Sequence, residues 1–298
     1  MKILLSDAGW KMRGGQWQTL YLAEGLRERG HQVLLLVRYG SLLWDLANQS
    51  KLEVKQIGLA TMLGYSGKSD IVHVQDGHSH TLAALASRTP FIVSRRVAFP
   101  IKDSWLSKKK YQRASGYLAV SQSVVRELRK AEIPSERIRV VYDGVPDIAP
   151  SSNAPHIAGL RSDDPGKCNL LMEQSCTLAG AELKLQDNLA DALKSGALFL
   201  YLSQSEGLGS AVLLSMAAGM PVVASRVGGL PEAIDEGFSG LLVENRKEAV
   251  AQAINTLRSD RNLTLRFSEN ARRRYEKFFT LDHMVTNTWN AYKELLHG

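Results

Sequence analysis

Val33-Leu-Leu-Leu-Val37 holds five apolar residues with no polar one between them. A strand with one wet face alternates apolar and polar side chains. A continuous run has to be covered on both faces, which points to a parallel sheet between helices. The segment before it has the helical period. Trp17, Leu20, Tyr21, Ala23 and Leu26 share one face, and Gly30 closes the helix. The two patterns then alternate. Strands are expected at Lys2–Ser6, His31–Val37, Glu53–Gly58, Ile71–Val74, Phe91–Ser94, Tyr117–Val120 and Ile138–Tyr142. Helices include Ser79–Ser87, Leu106–Ala114 and Ser121–Ala131. This is the pattern of a doubly wound α/β sheet.

The length of 298 residues suits two such domains. Residues 146–156 hold three of the nine prolines and read as a linker. Beyond it come a helix at 168–179, a strand at 182–185, a helix at 187–194, a strand at 198–202, a helix from Gly209 to Ala218 and strands at Pro221–Ala224 and Gly240–Val243. A short helix at Pro231–Asp235 precedes the last strand. Three helices, 246–258, 261–277 and 281–296, form the tail. The expected division is 1–147, a linker at 148–156, 157–279, and a C-terminal helix at 280–298 that crosses back to the first domain.

The charge is uneven. Residues 1–148 carry 22 Lys and Arg against 13 Asp and Glu, whereas 149–298 carry 15 against 17. A basic first half suits an anionic partner. Lys108-Lys-Lys-Tyr-Gln-Arg113, with Trp105 and Leu106 before it, has the composition of a helix that lies on an anionic membrane. No run of 18 apolar residues occurs, and the start, Met1-Lys-Ile-Leu-Leu-Ser6, turns polar too soon for a signal peptide. Two cysteines, Cys168 and Cys176, give no disulfide framework or CxxC metal site and are expected as free buried thiols in a reducing cytoplasm. The loop after the first strand, Asp7-Ala-Gly-Trp-Lys-Met-Arg-Gly-Gly-Gln16, lacks the G-x-G-x-x-G of a dinucleotide-dependent oxidoreductase. No module that reads nucleic acid is present.

The segment richest in chemistry is Ser205-Glu-Gly-Leu-Gly-Ser-Ala-Val-Leu-Leu-Ser215. A strand ends in a carboxylate and a glycine turn opens a helix. Gly207 and Gly209 let backbone approach a ligand, and the N–H groups of Ser210 and Ala211 at the helix start form an anion site. This segment resembles the donor-binding signature of the retaining, nucleotide-sugar-dependent glycosyltransferases of family 4, which have the GT-B fold. Arg13-Gly14-Gly15, Asp70-Ile-Val-His-Val74, Val140-Val-Tyr-Asp-Gly-Val145 and Gly228-Gly-Leu-Pro-Glu232 resemble further parts of that family in the same order.

The resemblance implies two Rossmann-like domains facing across a cleft, with the nucleoside diphosphate sugar bound by the second. It implies Gly14 and Gly15 as the glycine loop, Arg161 and Lys167 as the cations on the diphosphate, and Glu206 as the carboxylate at the sugar. Gln186 and Asp187 are expected near the base. Leu214 stands where the family has a second glutamate, which accepts from the ribose. Gln75, His78, Arg95 and Arg96 are expected on the acceptor or sugar side, the arginines as a pair that holds an anionic group. His78 and His80 are expected on the loop before a helix. Some 50–70 residues of the second domain are missing relative to the family, so that domain is expected to be reduced. The implied reaction moves a hexose-type sugar, with retention and without a metal or other cofactor, to a cell-envelope glycan or lipid-linked acceptor. Such a chain would serve lipopolysaccharide or exopolysaccharide synthesis, in the cytoplasm or on the inner face of its membrane. A non-catalytic homologue that binds glycan or a protein partner is the alternative.

Overall fold

The computed structural model describes residues 1–149, 156–194 and 196–297. The chain divides into two compact units, one of Met1–Gly144 plus the segment from Leu281 onward, the other of Val145–Thr280. Unit 1 contains strands β1 (Lys2–Asp7), β2 (Gln32–Val37), β3 (Glu53–Gln56), β4 (Ile71–Val74), β5 (Phe91–Arg95), β6 (Gly116–Ala119) and β7 (Ile138–Val140) in the order β3-β2-β1-β4-β5-β6-β7. Every pairing is parallel. The run in β2 is covered as its composition requires: Leu35, Leu36 and Val37 are all buried. Leu5 and Leu35 sit opposite each other in register and share a core with Leu22, Leu26, Ile71 and Ile92. Strand order reverses between β1 and β4, and there the strand ends leave a crevice for ligands.

The helix Leu281–His297 belongs to unit 1. Met284, Val285 and Tyr292 are buried in its core, and Arg29 is paired with Asp282. Val145 to Asp147, expected in the first domain, belong to the second unit. Val145 bridges Thr280 and Asp147 pairs with Arg272. Most of the expected linker, residues 150–155, lies outside the described residues.

Unit 2 has strands β8 (Ile157–Leu160), β9 (Leu183–Gln186), β10 (Leu198–Tyr201), β11 (Val222–Ser225) and β12 (Leu241–Val243) in the order β12-β11-β10-β8-β9, all parallel. β8 was not expected as a strand. Its four residues, Ile-Ala-Gly-Leu, have no alternation and a weak strand former at the third place. They pair because β9 and β10 flank them. β8 and β10 bracket the point where strand order reverses. Cys176 is buried, as expected, whereas Cys168 is only partly so. Among the described residues, no helix is long and apolar enough to cross a membrane.

Candidate functional site

The ends of β8 and β10 build the first site. Beyond β8 the chain makes one tight turn, Pro165–Lys167. Asp164 Oδ1 accepts the Gly166 N–H at 3.0 Å, and the Gly166 carbonyl accepts Gln204 N–H at 2.8 Å. The turn is thereby tied to the loop after β10, and Lys167 is brought to Glu206. Its ammonium donates to Glu206 Oε2 and, at 2.7 Å, to the Tyr201 hydroxyl. That hydroxyl in turn donates to Glu206 Oε2 at 2.7 Å. The pair is mostly enclosed, with 26% of the Lys167 and 18% of the Glu206 side chain exposed. Burial, then the Glu206 charge, pushes the Tyr201 phenol well above its usual range. It therefore stays protonated and keeps donating.

Glu206 is fixed from above by the loop after β11. Its carbonyl accepts Gly229 N–H at 3.1 Å. Gly228 has φ of +56°, and a Cβ there would stand 1.8 Å from the Glu206 carbonyl oxygen. Only glycine fits. Gly207 is buried in the turn, and Gly209, with φ of +91°, starts the helix Ser210–Ala217. No side chain caps that end. The first N–H groups, Ser210 and Ala211 among them, have no acceptor within the helix. Leu214 lies on this helix and is half-buried, outside the apolar core.

Arg161, directly after β8, has other partners. Its guanidinium pairs with Asp187 at 3.3 Å, and its backbone N–H donates to the Gln186 carbonyl at 2.8 Å. Arg161, Gln186 and Asp187 thus form a separate group at the ends of β8 and β9, and the partner of Lys167 is Glu206. Tyr201 escaped the sequence reading because a tyrosine in Leu198-Phe-Leu-Tyr201 looks like core.

The second site lies at the β1–β4 reversal in unit 1. Buried Asp7 accepts from Gly9 N–H (2.8 Å), Gln16 Nε2 (3.0 Å) and Thr19 Oγ1 (2.8 Å). Gln16 Oε1 accepts Arg13 N–H at 3.3 Å. These bonds fasten the loop to the helix Gly14–Glu28, whose first residues are Gly14 and Gly15. Beside Gly15 the space for a side chain is empty to 4 Å. Asp76 caps the helix Gly77–Ala86 through His78 N–H and Ser79 N–H and accepts Ala8 N–H at 2.7 Å. Burial, then the Asp76 charge, raises the Asp7 pKa.

His78 is exposed and His80 buried, both inside that helix and not on a loop before it. Arg95 and Arg96 do not act as a pair. Arg96 donates to Asp143 Oδ1 (2.8 Å) and Gln75 Oε1 (2.6 Å), whereas Arg95 turns to Tyr111. Successive residues of an extended segment face opposite ways, and this separates neighbours. Gln75 Nε2 in turn meets His73 Nδ1 at 3.0 Å, where Tyr292 also bonds at 2.6 Å.

Two parallel-sheet α/β units, each with polar groups gathered where strand order reverses, define the GT-B class of glycosyltransferase structure. Comparison with known proteins agrees. The family model for glycosyltransferase family 4 matches residues 12–147, and that for glycosyl transferases group 1 matches residues 170–274. Anabaena HepE, solved in complex with UDP and glucose, superimposes with a TM-score of 0.83 at 18% identity, covering 98% of this chain and 99% of that one. The chain belongs to glycosyltransferase family 4. Among curated relatives, the N-acetyl-alpha-D-glucosaminyl L-malate synthase of Bacillus anthracis is 35% identical over 113 residues, 37% of this chain and 29% of that protein. The D-inositol 3-phosphate glycosyltransferase of Streptomyces bingchenggensis is 33% identical over 114 residues, 38% of this chain and 25% of that protein. The chain therefore spans well under half the length of these two relatives.

Proposed function

We propose that the chain transfers a hexose-type sugar from a nucleoside diphosphate sugar to a cell-envelope glycan or lipid-linked acceptor, with retention of configuration and without a metal or other cofactor. The observation that carries this reading is the Lys167–Tyr201–Glu206 group beside the uncapped start of the helix Ser210–Ala217. A diphosphate needs a cation and free N–H donors, and both stand there. The acceptor hydroxyl attacks the anomeric carbon on the face from which the diphosphate leaves. As the carbon–oxygen bond to phosphate breaks, Lys167 and the helix start stabilise the developing charge, and a departing phosphate oxygen takes the hydroxyl proton. Glu206 faces the sugar. The uridine nucleotide held by HepE makes UDP the first donor nucleotide to try.

The acceptor falls to unit 1, with Gln75, His78, Arg95 and Arg96 on its side and the glycine loop at Gly14 and Gly15. The helix Trp105–Gln112 supports an anionic membrane surface as partner: Trp105 and Leu106 are each 70% exposed, next to exposed Lys108 and Lys109. The place of action would be the cytoplasmic face of that membrane.

One observation favours a second reading, a homologue that binds without catalysis. Leu214 cannot accept a hydrogen bond from a ribose. A thermal-shift panel of nucleoside diphosphates and nucleotide sugars, followed by donor hydrolysis with no acceptor, separates the two. A ligand at 100 times its Kd stabilises by about 2.7 kcal/mol. Slow release of UDP from UDP-glucose supports the transferase. Binding without any release, or no binding of any nucleotide, supports the second reading, a homologue that binds glycan or a protein partner.

A further inference from the structure

Tyr111 joins three polar side chains of unit 1 that no carboxylate neutralises. Arg95, the last residue of β5, donates from Nη1 to the Tyr111 hydroxyl at 2.9 Å and from Nη2 to the Phe99 carbonyl. Both acceptors are uncharged. Its Nε is buried without a partner. Lys110, half-buried, holds its ammonium 5.5 Å from the Tyr111 ring centroid and 3.4 Å from Thr81 Oγ1, again an uncharged acceptor. His80 is 1% exposed and meets the Tyr111 ring edge-on at 4.8 Å, and its Nε2 has no partner. Among the described residues, neither Arg95 nor Lys110 forms an ion pair.

The two cations act on each other. Burial and then the Arg95 charge lower the Lys110 pKa. Burial and then the Lys110 charge push the His80 imidazole down to about 3. The carboxylate whose charge acts on Lys110 is Asp76, and its oxygens already serve Ala8 N–H, His78 N–H and both donors of Ser79. Two half-buried cations with neutral partners, one of them with a buried and unpaired Nε, form an arrangement that an anion would complete, and beside them His80, whose N–H bonds the Lys110 backbone, keeps a free lone pair at Nε2. Arg96 is the contrast, because Asp143 and Gln75 satisfy it.

We propose that Arg95, Lys110 and His80 form a phosphate-binding site, in which the two cations share the phosphate oxygens and a protonated phosphate oxygen donates to the free lone pair of His80 Nε2. Assigning that phosphate to the acceptor rests on the transferase reading. Phosphate binding itself does not, and it stands whether or not sugar is transferred.

The test is calorimetry of the full chain with inorganic phosphate in about 0.1 M sodium chloride, which screens loose surface attraction. Saturable binding of one phosphate is expected. Lys110→Met should weaken it at least about tenfold, as loss of a charge-assisted bond does. Lys109→Met, one residue away and directed at Trp105 (5.0 Å), should change it less than about twofold. Nitrogen-15 spectra of the histidines should show the His80 ring shifting with phosphate in the wild type. Arg95→Lys, which keeps the charge and folds more safely than a neutral change, should retain part of the binding. Equal loss for the Lys109 and Lys110 variants, an unmoved His80 ring, or no saturable binding would overturn the proposal. Soluble hexose phosphate and vesicles carrying phosphatidic acid then tell a free phosphate from a lipid headgroup. The one that displaces inorganic phosphate is the source, and displacement by neither also counts against the site.

Discussion

Glu206→Gln separates the two things that Glu206 is expected to do. In the unliganded chain its carboxylate neutralises Lys167 and accepts from Tyr201. Two unit charges about 4 Å apart attract by about 4 kcal/mol at an effective dielectric of 20. Desolvation opposes this, and an enclosed pair gives back much of the gain. With a fifth to a quarter of each side chain exposed, the pair lies between surface and interior. A stability loss of about 1–3 kcal/mol is expected, a drop in Tm of roughly 3–10 °C. Glutamine still accepts from Tyr201, so the loop should hold its shape. Lys167, no longer neutralised, becomes a better partner for a diphosphate. UDP should therefore bind about 3- to 30-fold more tightly, equivalent to about 0.7–2 kcal/mol. Uridine, which has no phosphate, should be unchanged. Transfer should nevertheless fall about a hundredfold or more, because the group facing the sugar has lost its charge. Calorimetry with UDP and uridine, beside a turnover assay, reads all three. Weaker UDP binding, or an equal gain for uridine, would refute the picture of Lys167 held in reserve. Turnover at the wild-type rate would make Glu206 a structural residue.

Leu214→Glu should fold well, since position 214 is half-exposed, and should tighten UDP at least about tenfold with a smaller gain for the 2′-deoxy form. Calorimetry that shows no preference for the ribo form would disconnect this position from the ribose. Gly228→Ala should cost more than about 3 kcal/mol, since the new Cβ collides with the Glu206 carbonyl at a positive φ. A melting curve within 2 °C of wild type, roughly, would show that the loop gives way. Acid should weaken unit 1. His73 and His80 are held neutral by burial, their pKa values below the unfolded 6.5, so the unfolded chain binds more protons and stability falls as pH drops below about 6.5. His80 contributes about 2 kcal/mol of loss by pH 5, a part of the trend that His80→Gln should remove in melting curves from pH 7 to 5.

Most of the fold was legible because it is written in local periods. Val33–Val37, Ile71–Val74 and Leu198–Tyr201 are strands by composition, and Gly30 and Gly209 mark helix ends. β8 was hidden because four residues with a glycine carry no period, and its strand state comes from neighbours in space. In the site, Lys167 and Glu206 were legible from a motif, each on its own. Their bond was not, because 39 positions and one tight turn separate them. Tyr201 had no local signal at all. The arginines at 95 and 96 illustrate the same limit. Adjacency in sequence suggested a pair, and strand geometry sends them to different partners.

Unit 2 enters at Val145 and leaves at Thr280, and these two residues lie side by side in a parallel bridge. It is an insertion looped out of unit 1. On the ribosome this fixes an order of events. Residues 145–280 are contiguous and emerge before Leu281, so unit 2 can close its core while unit 1 still lacks Met284, Val285 and Tyr292. Until that helix arrives, His73 has no Tyr292 hydroxyl and the β1–β2 layer has an uncovered apolar side. The nascent chain therefore passes through a stage with one unit finished and one open, during which the exposed surface belongs to the first-made half.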